Sequence, residues 1–210
     1  MSRAPQILDL PRVPPPPRAP ERGDRGPGED GPAGRPAHPA RVAVWLVVAA
    51  VVVLFAAFTS TYLARRAEPD WTPAPMPRIL WASTTAILAS SLILSASLRA
   101  GRRGRRRTLR RGLAATAVLG GVFLICQLLG WRDLARAGVF LASSPHSAFF
   151  YLLTGTHGLH LAGGLGALLY ALARSGAPAE RVLDVAEPAA TYWHSLAGLW
   201  VYVFVILFGL

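Results

Sequence analysis

The stretch FFYLLTGTHGLHLAGGLGALLYALAR, Phe149–Arg174, is almost wholly apolar. It is long enough to cross a bilayer as a helix. Two histidines, His157 and His160, sit inside it. An imidazole at that depth needs a polar partner, so both the fold and the function turn on what these two side chains meet.

The rest of the chain repeats the pattern. It has 210 residues, 52% of them hydrophobic, and a positive mean hydropathy of +0.37. Its apolar residues come in runs of about twenty, the length a helix needs to span hydrocarbon. The composition predicts an integral membrane protein with little extramembrane mass. All 22 basic residues are Arg and the net charge is +11. Such a charge suits nucleic acid, but Arg-rich cytoplasmic loops are expected of any membrane protein. The reading is therefore of no nucleic-acid partner. The lone Cys126 lies in an apolar run; it forms no internal disulfide and makes no cysteine-based zinc site.

Residues 1–41 hold 11 of the 18 prolines, seven Arg and five acids. That composition predicts a disordered tail with no apolar core of a signal peptide, and makes His38 a solvated bystander. Five hydrophobic runs follow, at about 42–63, 79–98, 112–131, 148–173 and 190–210. The β-branched content of the first would suit a strand in water. In lipid a lone strand leaves its backbone groups unpaired, so helix is required. The expected fold is all-α: five transmembrane helices in a bundle, ending at Leu210 with no trailing domain. Eight Arg lie between the second and third runs, in RAGRRGRRRTLRR. Placing that segment in the cytoplasm puts seventeen Arg on one side and five on the other. The expected orientation is N-terminus cytoplasmic and C-terminus outside. Trp45, Trp71, Trp81, Trp131 and Trp193 fall near helix ends and read as interfacial anchors.

His157 and His160, three apart, share a helix face. Thr154, Gly158, Ala162 and Gly166 form a different stripe of small residues that would let another helix approach closely. Three readings of the histidines stay open on the residues alone. They are metal or haem ligands, with His194 on the fifth helix as a second axial ligand; a proton relay; or neutral groups hydrogen-bonded to neighbouring helices or lipid headgroups. An i,i+3 pair cannot place both imidazoles axially on one haem. The acids read as lying in the tail and loops, which leaves no nearby carboxylate for a relay or metal site and counts against a stand-alone transporter. The second run is rich in hydroxyls, and its Thr84, Ser91 and Ser95 share a face suited to interhelical packing. Gln127 reads as an interhelical hydrogen bonder, and Arg132, Asp133 and Arg136 as a solvated rim. No phosphate loop, no nucleophile with a base and no CxxCH motif occurs.

Four segments resemble subunit III of the haem-copper terminal oxidases, the cytochrome c oxidase subunit III family, in its short five-helix bacterial form. AAFTSTYLARR (56–66) resembles the end of the family's first helix, and ILWASTTAILASSLIL its second. The third is FLICQLLGWRDLARAGVFLASSPHSAFFYLLTGTHGLHLAGG (123–164). It carries the Gln-to-Trp spacing of Gln127 and Trp131, the Phe-Phe-Tyr start and the Gly-x-His-Gly-x-His run. The fourth, EPAATYWHSLAGLWVYVFVILF (187–208), has Tyr192, Trp193 and His194 followed by Trp200.

The resemblance implies a non-catalytic bundle, split by a lipid-holding cleft and docked beside subunit I in a complex that also contains subunit II. It sits in the bacterial plasma (inner) membrane and supports O2 reduction coupled to proton pumping. This chain would carry no catalytic residue, haem or copper; haem and copper belong to the partner subunits, and phospholipid is the expected bound molecule. His157, His160, His194, Tyr192, Trp193, Trp200, Gln127 and Trp131 become candidates for bundle, lipid-cleft or subunit-interface roles. Two departures stand out. The family's Glu in this first helix falls near Val51, and its Asp after the helix-five His is Ala197. The rivals are an accessory subunit of a nitric oxide reductase from the same superfamily, and a haem b electron-transfer protein using His157 or His160 with His194.

Overall fold

A computed structural model describes residues 39–72 and 76–209. The expected tail, with His38, lies outside the described residues apart from its last three positions, and so does Leu210. Five long α-helices follow one another: α1 Pro39–Arg66, α2 Ile79–Arg102, α3 Arg106–Arg136, α4 Pro145–Ala173 and α5 Ala179–Gly209. No strand occurs among the described residues, as the backbone argument requires of a chain in lipid.

Local chemistry sets the ends. Arg65 and Arg66 close α1, and Arg99 and Arg102 close α2, where positive charge meets the negative end of the helix dipole. Gly104 (φ 73°) turns the chain between α2 and α3, and Gly138 (φ 75°) turns it after α3. Ser144 and Ser147 form a reciprocal capping box at the start of α4, with Pro145 in the first turn.

The helices run past the expected bounds, and this corrects three expectations. The Arg-rich segment is not a loop: six of its eight Arg lie on the last turn of α2 or the first turns of α3, and only Arg103 and Arg105 lie between them. The segment before the fifth apolar run is not a loop either, since α5 begins at Ala179 and continues through Pro188. Consequently the acids are not confined to tail and loops: Glu180, Asp184 and Glu187 lie on α5, and Asp133 lies on α3. Pro188 removes one backbone hydrogen bond but does not break the helix. At 1.5 Å per residue the 31 residues of α3 and of α5 each span about 46 Å, well beyond a hydrocarbon core of about 30 Å.

Helices α2, α3, α4 and α5 close a ring, each packed against two others, and α1 lies outside it against α4 and α5. One stripe of α1 is buried: Val48, Val51, Phe55, Thr59 and Tyr62. Its other faces are apolar and exposed, as lipid-facing positions are. Among the described residues α1, α2, α3 and α5 are each long and apolar enough to cross a membrane. Helix α4 is as long, at 29 residues, and its apolar run is interrupted by His157 and His160. The chain is a multi-pass helical membrane protein.

Candidate functional site

The polar chemistry of the bundle is concentrated between α2 and α5. The two helices run antiparallel, and α2 carries the hydroxyls that α5 needs. Trp200 Nε1 donates to Thr84 Oγ1 at 2.9 Å. One turn-pair further along, Trp193 Nε1 donates to Ser90 Oγ at 2.9 Å. His194 follows, its Nδ1 2.6 Å from Ser91 Oγ and its Nε2 3.2 Å from Ser95 Oγ. On the other side of α2, Gln127 Nε2 of α3 donates to Ser83 Oγ at 3.1 Å. Ser83, Thr84 and Ser90 also donate back to carbonyls of their own helix, so each bridges two helices. This ladder fixes the register of α5 on α2, because a slip would leave indole N–H groups unpaired in an apolar interior.

Trp193 is thus not an interfacial anchor. It is fully buried, because α5 starts about 20 Å before it. Its indole sits 2.5 Å from where a Cβ would stand on Gly120 of α3. Trp200 is fully buried as well, while Trp45 and Trp81 are exposed and suit the anchor role. Trp131 donates to Thr154 Oγ1 at 3.1 Å, tying α3 to α4.

The three intramembrane histidines have different surroundings. His160 Nδ1 lies 2.8 Å from its own helix's Thr156 carbonyl, and that backbone is reinforced by Tyr192, whose hydroxyl donates to the His160 carbonyl at 3.3 Å. His194 has both nitrogens engaged by serines. His157 departs from the expected hydrogen-bonded role: it is fully buried, and neither ring nitrogen has a partner among the described residues. Its neighbours are aromatic, with centroids at 5.1 Å for Trp200, 5.6 Å for Phe123 and 6.5 Å for Phe55. A haem reading needs an uncommitted imidazole nitrogen from α5, and His194 offers none in this arrangement.

The small-residue stripe divides. Thr154 is buried, and a Cβ on Gly158 would meet only Leu124 of α3, at 3.8 Å; Ala162 and Gly166 are exposed. The close approaches inside the ring occur instead at Gly120 against Trp193, at Gly112 against Ser97, and at Gly164 against Tyr192. Val51 and Ala197, where the resembling family carries acids, are both buried. An ionised carboxylate at either position would need a charged or strongly donating partner.

At the Arg-rich end a cleft of about 540 Å³ opens between α1, α2 and α5, lined by Arg41, Arg99, Arg102, Glu187, Trp45 and His194 among others. Glu187 bridges Arg41 at 2.8 Å and Arg102 at 2.9 Å. Sequence reasoning missed this carboxylate because it assigned Glu187 to a loop. An apolar cleft of about 490 Å³ adjoins it, lined by residues such as Val44, Val47, Ala167 and Tyr192. His146, also missed, is buried at the start of α4, with Trp71 at 5.4 Å and Tyr62 at 6.3 Å. A histidine directly after a Ser-Pro helix start was the available signal.

Fold and site together define a multi-pass helical bundle whose polar interior is spent on holding its helices to one another. The sequence profile of the family described as cytochrome c oxidase subunit III matches residues 41–209, and the chain belongs to that family. A "Probable cytochrome c oxidase subunit 3" of Mycobacterium tuberculosis is 31% identical over 174 residues, covering 79% of this chain and 84% of the relative. The "Cytochrome c oxidase subunit 3" of Bacillus sp. (strain PS3) is 28% identical over 78% of this chain and 82% of its own length. That of Synechocystis sp. is 27% identical over 79% and 72%.

Proposed function

We propose that this chain is the non-catalytic subunit III of a bacterial haem-copper oxidase, packed beside subunit I in a complex that also holds subunit II. In that role it supports O2 reduction coupled to proton pumping without a haem or copper of its own. The observation that carries the reading is the state of His194. The imidazole that a haem-binding rival most needs is held at both nitrogens by Ser91 and Ser95, as a structural side chain is.

The Arg distribution supports an N-terminus in the cytoplasm of a bacterial plasma membrane, with the Arg-rich ends of α2 and α3 on that side. The 540 Å³ cleft there suits a phospholipid headgroup. Arg41 and Arg102 share one carboxylate, and Arg99 makes no ion pair among the described residues, so the cleft keeps an excess of positive charge. The adjoining apolar cleft suits an acyl chain.

Purification of the tagged full-length chain in mild detergent tests the assignment. Haem should arrive with a large multi-helix subunit I and leave this chain when the subunits are separated. Haem retained by the isolated chain, or a complex without subunit I, overturns it.

A further inference from the structure

The outward face of α4 carries a run of small residues. Gly155, Leu159, Ala162 and Gly166 follow one another along it at helical spacing. A Cβ built on Gly166 meets nothing within 4 Å. On α1 the exposed positions mix bulky Trp45, Leu46, Val52 and Val53 with small Ala49, Ala50, Ala56 and Ala57. Branched and aromatic side chains suit acyl chains. Small ones let a second helix bring its backbone close, which is the main source of helix association in lipid.

A second observation says what should cover this face. Where α4 meets α3, a groove of about 330 Å³ runs between Leu128 and Trp131 on one side and Gly155, Gly158 and Leu159 on the other. Gln127 lines it and is only 3% exposed. Its Nε2 donates to Ser83, which itself donates to the Leu80 carbonyl, so the amide orientation is fixed by the network. Its Oε1 has no partner among the described residues. An acyl chain has no proton to donate to that oxygen. A protein helix carrying a hydroxyl, amide or indole does.

We infer that the groove between α3 and α4 receives a transmembrane helix of oxidase subunit I, which brings a hydrogen-bond donor to Gln127 Oε1. The inference rests on the subunit III reading and adds the docking face to it.

The test places a photo-crosslinking amino acid, p-benzoylphenylalanine, at Leu159 in the full-length chain co-expressed with subunits I and II. Val53 on α1 and Val205 on α5, also well exposed, take the same group as controls. Crosslinking to subunit I should be several-fold stronger from Leu159 than from either control. Crosslinks to subunit I from Val53 or Val205, with Leu159 silent, overturn the docking face and leave the assembly reading intact. No crosslink to subunit I from any position overturns both. A Leu159 crosslink to a second copy of this chain overturns subunit I as the occupant. Gly158→Leu fills the groove from a position with room for a side chain. It should reduce recovery of subunit I several-fold, and unchanged recovery counts against the groove.

Discussion

Trp193 of α5 donates its indole proton to Ser90 of α2 across 2.9 Å, and both residues are fully buried. The same serine donates to the Ile87 carbonyl, so one hydroxyl holds an indole and caps a carbonyl. About two turns along each helix the pattern recurs with Trp200 and Thr84. Two indoles and an imidazole on α5 thus read four hydroxyl positions on α2. The ring of helices closes around contacts that only one register satisfies.

Ser90→Ala removes the acceptor and leaves the Trp193 N–H without a partner. Interhelical hydrogen bonds in membrane bundles average about 0.6 kcal/mol and reach about 1.7, and an orphaned buried donor falls toward the upper part of that range. The expected loss is about 1–2 kcal/mol, read from thermal unfolding of the chain in detergent. Ser90→Thr keeps the hydroxyl and should lose less. Equal losses in the two variants would mean that volume, not the hydrogen bond, sets the cost.

Gly120→Ala forces Trp193 to move. The added methyl would stand 2.5 Å from the indole, inside van der Waals contact, and the indole is pinned by its own hydrogen bond to Ser90. Overpacking of this kind costs about 1–3 kcal/mol. Gly121→Ala, one residue away with nothing within 4 Å, should be neutral. A Gly120→Ala melting curve that overlays the parent would show that the ring opens there without strain.

Most of the fold was legible because a bilayer leaves so few choices. Twenty apolar residues in a row mean a helix, and all five apolar runs were found. The bounds were not legible where helices leave the hydrocarbon. Glu180, Asp184 and Glu187 with Pro188 look like a loop when each residue is judged against lipid. In water Glu180 suits the first turn of a helix, where it meets the positive end of the dipole. The eleven residues missed at the start of α5 moved Trp193 from a supposed interface to the core and hid Glu187. The pairing of Trp193 and Trp200 with Ser90 and Thr84 was out of reach for another reason. Hydroxyl spacing shows which residues share a face of α2, but not which helix that face meets.

Glu187→Gln tests how much the Arg-rich end is held by charge. Glu187 joins Arg41 of α1 and Arg102 of α2 to α5, but both guanidiniums are more than half in solvent, each with 59% of its side-chain surface exposed. Solvent screening keeps such pairs below about 1 kcal/mol each. The variant loses both pairs, so it should lose no more than about 2 kcal/mol at low salt, and the difference from the parent should shrink as salt is raised. A large loss that persists at high salt would show that Glu187 acts through a buried interaction and not through these two pairs.

His157→Phe separates a polar anchor from a packing residue. The imidazole is fully buried among Phe55, Phe123 and Trp200, with both nitrogens unpartnered among the described residues. Its N–H has only ring faces to meet, and such contacts are weak. Replacing an unpaired buried polar group with an apolar one of similar shape is close to neutral or stabilising. Phenylalanine fills nearly the same volume in a setting already aromatic, so stability should stay within about 1 kcal/mol of the parent or rise. His194→Phe is the contrast, since it discards two contacts to Ser91 and Ser95 and should cost about 1–2 kcal/mol. If His157→Phe is instead the more damaging of the two, His157 holds something besides this chain, and the aromatic box around it is a binding site and not a packed core.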